Sequence, residues 1–151
     1  MKKLIVLTAI LDSFTLGYSQ KINETDVPGP VKENFKKNYP QASGVKWEKE
    51  NENYEGSFKE SGKEISAVFD ASGKFLQKEI EIAVSDLPSK VSEYVNKTYP
   101  GFNLDEASKI TDASGKVFYE VEIEKGKEEA ELIFDESGNF LKKEAESGDD
   151  D

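Results

Sequence analysis

The sequence predicts an α+β fold of two tandem units. Each is a helix followed by a four-stranded antiparallel meander, with the strands forming a curved sheet and the helices on one face of it. Three observations predict this: an internal repeat, apolar residues at helical spacing at the head of each copy, and alternating segments closed by one kind of turn. Val27-Pro28, Val31, Phe35 and Tyr39-Pro40 recur as Leu87-Pro88, Val91, Val95 and Tyr99-Pro100 at an offset of 60. Phe69-Asp70-Ala71-Ser72-Gly73-Lys74-Phe75-Leu76 recurs as Phe134-Asp135-Glu136-Ser137-Gly138-Asn139-Phe140-Leu141 at an offset of 65. Tyr54-Glu55 matches Tyr119-Glu120 at the larger offset, so the second copy carries five extra residues before Tyr119. The turn Thr111-Asp112-Ala113-Ser114-Gly115-Lys116 is the natural place for them.

The chain opens with Lys2 and Lys3, an apolar run from Leu4 to Leu11, and small residues at Gly17 and Ser19. This is the pattern of a secretory signal peptide over residues 1–19, cut after Ser19. A membrane span needs about 20 apolar residues, and Asp12 interrupts this run. Residues 20–26 read as a linker, 27–84 as the first unit and 85–145 as the second. Residues 146–151, acidic and without apolar side chains, read as a disordered tail.

Within each unit, Val31, Phe35 and Tyr39, like Val91, Val95 and Tyr99, fall along one face of a helix. Proline suits the first turn and again the stop, because it lacks an N–H and restrains the residue before it. Asp86 is the expected N-cap of the second helix. In Tyr54–Phe58 and Tyr119–Ile123, large and polar residues alternate as in a half-buried antiparallel strand. Ile65, Ala67 and Phe69 continue the pattern, as do Ala130, Leu132 and Phe134. Asp70, Asp112 and Asp135 each open an Asp-x-Ser-Gly turn, in which Asp caps the turn and Gly takes the left-handed conformation. A calcium loop would need several oxygen ligands at alternate positions and a distal Glu, whereas each of these turns offers one Asp and a Ser.

Composition excludes most chemistry. The chain has no His, no Cys and no Arg among 151 residues, and a net charge of −11. That removes an imidazole base, a thiolate nucleophile, iron–sulfur ligation, an ordinary zinc site and the bidentate clamp for phosphate. The negative balance repels nucleic acid and anionic lipid. No catalytic residue, metal ligand or cofactor site is expected, and no membrane insertion once the signal is cut.

The order and doubling of Leu87-Pro88, Tyr99-Pro100, Tyr119-Glu120-Val121, Trp47 ahead of Tyr54-Glu55, and the Phe-Asp-x-Ser-Gly-x-Phe-Leu close resemble a known family. It is the PepSY-like domains of secreted Bacteroidetes-type proteins, similar in fold to the β-lactamase inhibitor protein. The resemblance implies a tandem repeat with a concave sheet and a binding or inhibitory role rather than catalysis. It does not imply lactamase inhibition, since that inhibitor is stapled by disulfides and this chain has no Cys.

Strand parity sends Trp47, Tyr54, Phe58, Tyr119, Val121 and Ile123 to the core and leaves Glu48, Glu55, Ser57, Phe118, Glu120, Glu122 and Glu124 on an open, strongly acidic side. The expected partner-binding face is Glu55, Glu120, Glu122, Glu129 and Glu131, with Phe118 and Ile133 as apolar anchors. The expected function is a non-catalytic periplasmic or secreted module that presents this face to a protein or peptide, with acidic steering. Weak calcium binding by the acidic surface is one alternative. A hydrolase built on paired carboxylates is a second, disfavoured by the lack of any evident cleft.

Overall fold

The protein is described by a computed structural model over residues 19–144. Of the signal peptide expected over residues 1–19, all but Ser19 lies outside the described residues, as does the tail expected at 146–151. Among the described residues the fold is α+β, with two α-helices and nine strands, and every strand pairing described below is antiparallel between neighbours in the chain. The chain divides into two units, Met1–Gln77 and Lys78–Asp151.

The first unit begins with a strand the sequence does not announce. β1 (Ser19–Ile22) pairs with β2 (Lys46–Glu50) from Ser19 opposite Glu50 to Ile22 opposite Trp47. Residues 20–26, expected as a linker, therefore hold most of a strand and a 3-10 turn at Glu24–Asp26. Backbone pairing with β2, not side-chain burial, makes this strand, so Ser-Gln-Lys-Ile carries no alternation to read. Val27 is buried, Pro28 is extended, and α1 (Gly29–Asn38) follows with Pro30 in its first turn. The helix closes where the Tyr39 N–H donates to the Phe35 carbonyl at 2.8 Å. Its buried face, Val31 and Phe35, belongs to the same core as β2, β3 (Asn53–Glu60) and β4 (Lys63–Asp70).

Phe35 is the hub of that core. Its ring centroid lies 5.0 Å from Trp47, 5.5 Å from Phe58 and 6.2 Å from Phe69, each edge-on, the arrangement aromatic pairs prefer. Room for it comes from Gly56, where a Cβ would sit 2.8 Å from Phe35 Cε2 and 3.1 Å from Trp47 Cη2. β5 (Phe75–Ile82) then carries the chain into the second unit.

In the second unit a 3-10 turn at Val84–Asp86 leads to α2 (Ser89–Thr98), whose cap position is Pro88 with no side-chain hydrogen bond. Asp86 is therefore not the N-cap. It falls inside the 3-10 turn, and buried Leu87 with extended Pro88 separates it from the helix. Val91 and Val95 pack with Ala107 of β6 (Asn103–Asp112), Val121 and Ile123 of β7 (Val117–Lys125), and Ala130, Leu132 and Phe134 of β8 (Glu128–Asp135). β9 (Phe140–Glu144) adds Phe140, stacked on Tyr94 at 4.6 Å. The two cores fill matching space differently. Phe35, Trp47, Gly56 and Ala67 occupy the repeat positions of Val95, Ala107, Val121 and Leu132, so bulk held by α1 and β2 in the first unit moves to β7 and β8 in the second.

Register locates the five extra residues. Glu50 opposite Asn53 leaves a two-residue turn in the first unit, while the repeat-equivalent pair, Ile110 opposite Phe118, encloses a longer hairpin tip around Asp112–Lys116. In this turn Asp112 Oδ1 accepts hydrogen bonds from the Ser114 N–H at 2.8 Å, the Ser114 hydroxyl at 2.6 Å and the Lys116 N–H at 2.9 Å. Asp70 and Asp135 cap their turns in the same way. The Ser72 and Ser114 hydroxyls are the main reason that Asp70 and Asp112 sit below the ordinary carboxylate range, and the Asn139 amide does the same for Asp135. Depressed carboxyls of this kind favour the fold above the ordinary range, and their contribution fades as pH falls through their folded values.

Candidate functional site

In each unit, the side of the strands away from the helix is where the sequence places binding, and the register shows what stands there. In the second unit, Ser108, Glu120, Ile133 and Lys142 form one row across β6 to β9. The next row is Glu106, Glu122, Glu131 and Glu144, four glutamates in register on four successive strands. Glu124 faces Glu129 one step further on. Like charges directly opposite one another destabilise a sheet by a few tenths to about 1 kcal/mol per pair. Glu122 shows the strain of the arrangement: burial first, then Glu106, Glu129, Asp105 and Glu124, raise its carboxyl above the ordinary range. Lys142 makes an ion pair with Glu144 at the β9 end of the row.

Parity is as expected, but exposure is not. Phe118 is 3% exposed, Glu120 9% and Ile133 0%, and in the first unit Glu55 is 3% exposed. The expected broad, open face is thus corrected at its centre. Alternation assumes that only the helix offers apolar cover, yet Ile110, Phe118 and Ile133 place three large apolar side chains on neighbouring strands of the other side, all buried. Lys116 adds cover, with Nζ 4.9 Å from the centroid of the Phe118 ring. Glu122 and Glu131 are half-buried and Glu129 is exposed. The result in this unit is an apolar floor with an acidic margin.

Of the expected residues, the register joins Glu120 to Ile133 and Glu122 to Glu131, and sets Glu129 against Glu124. Glu106, Glu144 and Ile110 also belong to this face and were not expected. Glu106 is displaced by a register shift between Leu104 and Glu106, which no residue pattern signals.

The corresponding side of the first unit is chemically different. Lys46, Ser57 and Ser66 stand at the repeat positions of Glu106, Glu122 and Glu131. Here Glu55 faces Glu48 on β2 and Val68 on β4. The Ser57 hydroxyl donates to Glu55 Oε1 at 3.3 Å, and the Ser66 hydroxyl, on the neighbouring strand, also bears on this buried carboxyl. Burial is the largest cause that pushes this carboxyl up to about 7; the Ser66 and Ser57 hydroxyls oppose it, and Glu48 and Glu50 add to it.

Among the described residues, no group of acidic side chains is arranged to hold a metal ion. The turn carboxylates are engaged by their own loop donors, as the hairpin reading requires. No described helix is long and apolar enough to cross a membrane.

No curated protein matches the chain. Solved structures do. A DUF2874 family protein from Bacteroides ovatus is similar with a TM-score of 0.68 at 22% identity, over 79% of this chain and 88% of that one. A protein from Bacteroides eggerthii described as "putative periplasmic" reaches a TM-score of 0.70 at 17% identity, over 78% and 88% of the two chains. A BLIP-like protein from Bacteroides fragilis is similar with a TM-score of 0.64 at 26% identity, over 82% and 91%. The family model described as "Putative beta-lactamase-inhibitor-like, PepSY-like" matches twice in tandem, over residues 16–77 and 63–142, in keeping with the doubled turns and helices, and the chain belongs to this family.

Proposed function

We propose that the protein is a non-catalytic, inhibitor-like binding module of the periplasm or cell exterior. It presents the second unit's sheet face to a basic protein or peptide segment. Family membership supports the binding role, and the periplasmic description of one structural neighbour supports the address. The observation that carries the reading is the row Glu106, Glu122, Glu131, Glu144 set beside Lys46, Ser57, Ser66 in the first unit. The two units agree at the fourth position of this row, where Glu79 matches Glu144, and differ at the other three, where the second unit has glutamate throughout. A solvated surface gains nothing by stacking carboxylates in register, where they repel, rather than interleaving them with lysine. A partner's cations would remove that repulsion and steer its approach.

The test transplants the first unit's residues. The chain and a Glu106→Lys, Glu122→Ser, Glu131→Ser variant are immobilised, and each is exposed to an envelope extract of its host at physiological salt. We expect at least one protein retained by the parent, released by raised salt and at least tenfold depleted on the variant. Identical retention by both baits refutes the acidic row as the binding determinant.

A further inference from the structure

Glu55 raises a question that the binding reading does not answer. Its carboxyl is buried in the first unit, yet no cation stands directly opposite it. On β2 it faces Glu48, with Glu50 and Lys46 one step to either side, and Lys46 is paired with Ser57 instead. On β4 it faces Val68, flanked by Ser66 and by Asp70, whose carboxylate is committed to its own turn. Behind β2, Lys21 stands opposite Glu48 and Ser19 opposite Glu50, and the Ser19 hydroxyl donates to Glu48 Oε2 at 2.6 Å. A charge on Glu55 would thus join two other glutamates at one seam, out of water, with the Ser57 and Ser66 hydroxyls but no directly opposed cation to offset it.

We infer that Glu55 is a proton-controlled clamp on the β2–β3 seam: neutral, it lets the seam close, and ionised beside Glu48 and Glu50 it loosens β2, with β1 behind it, from β3. The proton passes to solvent, and no other reactant is needed. This seam lies in the first unit, apart from the glutamate row of the second. Its direction follows from linkage. With the folded carboxyl raised from the ordinary 4.5 to about 7, the neutral form's contribution is full below 4.5, declines as pH rises between the two values, and is gone above 7.

The full chain supplies its own reporter, since its single tryptophan, Trp47, lies on β2 opposite Gly56, the neighbour of Glu55. The experiment is a carboxyl-carbon NMR titration of Glu55 from pH 4 to 9, with Trp47 emission and amide exchange along β2 and β3 followed in parallel. We expect one titration centred near 7 in both signals. Seam amides should exchange about tenfold faster above it, after correction for intrinsic rates, than below it. Glu55→Gln should abolish the Trp47 response, Glu48→Gln should move the midpoint down, and Ser66→Ala should move it up. A Glu55 carboxyl that titrates in the ordinary range, or a seam whose protection ignores pH, overturns the clamp. Should Glu55→Gln fail to fold, the carboxyl titration of the parent decides alone.

Discussion

Replacing Gly73 with alanine is expected to destabilise the protein by about 3–5 kcal/mol, far more than the same change at Gly115. Both glycines close an Asp-x-Ser-Gly turn, at φ +84° and +85°. An alanine at either one meets the left-handed penalty of about 1–2 kcal/mol. Only at Gly73 does the new Cβ meet backbone, 2.5 Å from the Pro30 carbonyl oxygen and 2.6 Å from its carbon, whereas nothing lies within 4 Å at Gly115. Neither side of that contact yields easily. The turn is tied by Asp70, and the helix start is tied to it by the Asn34 amide, which donates to the Gly73 carbonyl at 2.6 Å. Gly138 is the intermediate case, its Cβ 3.0 Å from Pro88 Cβ and 3.1 Å from Lys90 Cβ. Urea unfolding of the three alanine variants should therefore rank the losses Gly73, Gly138, Gly115. Equal losses at Gly73 and Gly115 would mean that the turn does not bear on the helix as described.

The three turns also mark how far the sequence could be read. Their residues state their geometry locally, because an Asp side chain, a Ser and a left-handed Gly solve one short-range problem. The helices were legible for a related reason: Val31 and Phe35, like Val91 and Val95, need only helical spacing to find a common face. Features that depend on pairing were not legible. β1 is defined by its partner β2 and Asp86 by the chain direction at Leu87, neither of which appears in local composition. The glutamate row needs the register of four strands and the shift before Glu106. Parity placed Glu55, Phe118, Glu120 and Ile133 on the correct side of their strands, but a side is not an exposure. Burial depends on what neighbouring strands bring, and Ile110 and Ile133 arrive from 8 and 15 residues away from Phe118.

Exchanging the core pattern of the first unit for that of the second should show that Gly56 exists to admit Phe35. Gly56→Val alone places a Cβ 2.8 Å from the Phe35 ring before its two methyls are counted, and is expected to cost about 3 kcal/mol or more. Phe35→Val alone withdraws a ring in contact with Trp47, Phe58 and Phe69, at a similar cost of about 2–4 kcal/mol. Val95 and Val121 already coexist at these repeat positions in the second unit, both fully buried. The double variant should then lose about 2 kcal/mol less than the sum of the single losses, because the volume removed from the helix is the volume added to β3. Denaturant unfolding followed by Trp47 emission reads the cycle where the change is made. Strict additivity would place the valine and the ring in separate spaces and end the compensation argument. A coupling of the expected size would show that the two copies reached one packing density by opposite allocations of bulk, which is how a repeat can hold its fold while its faces diverge.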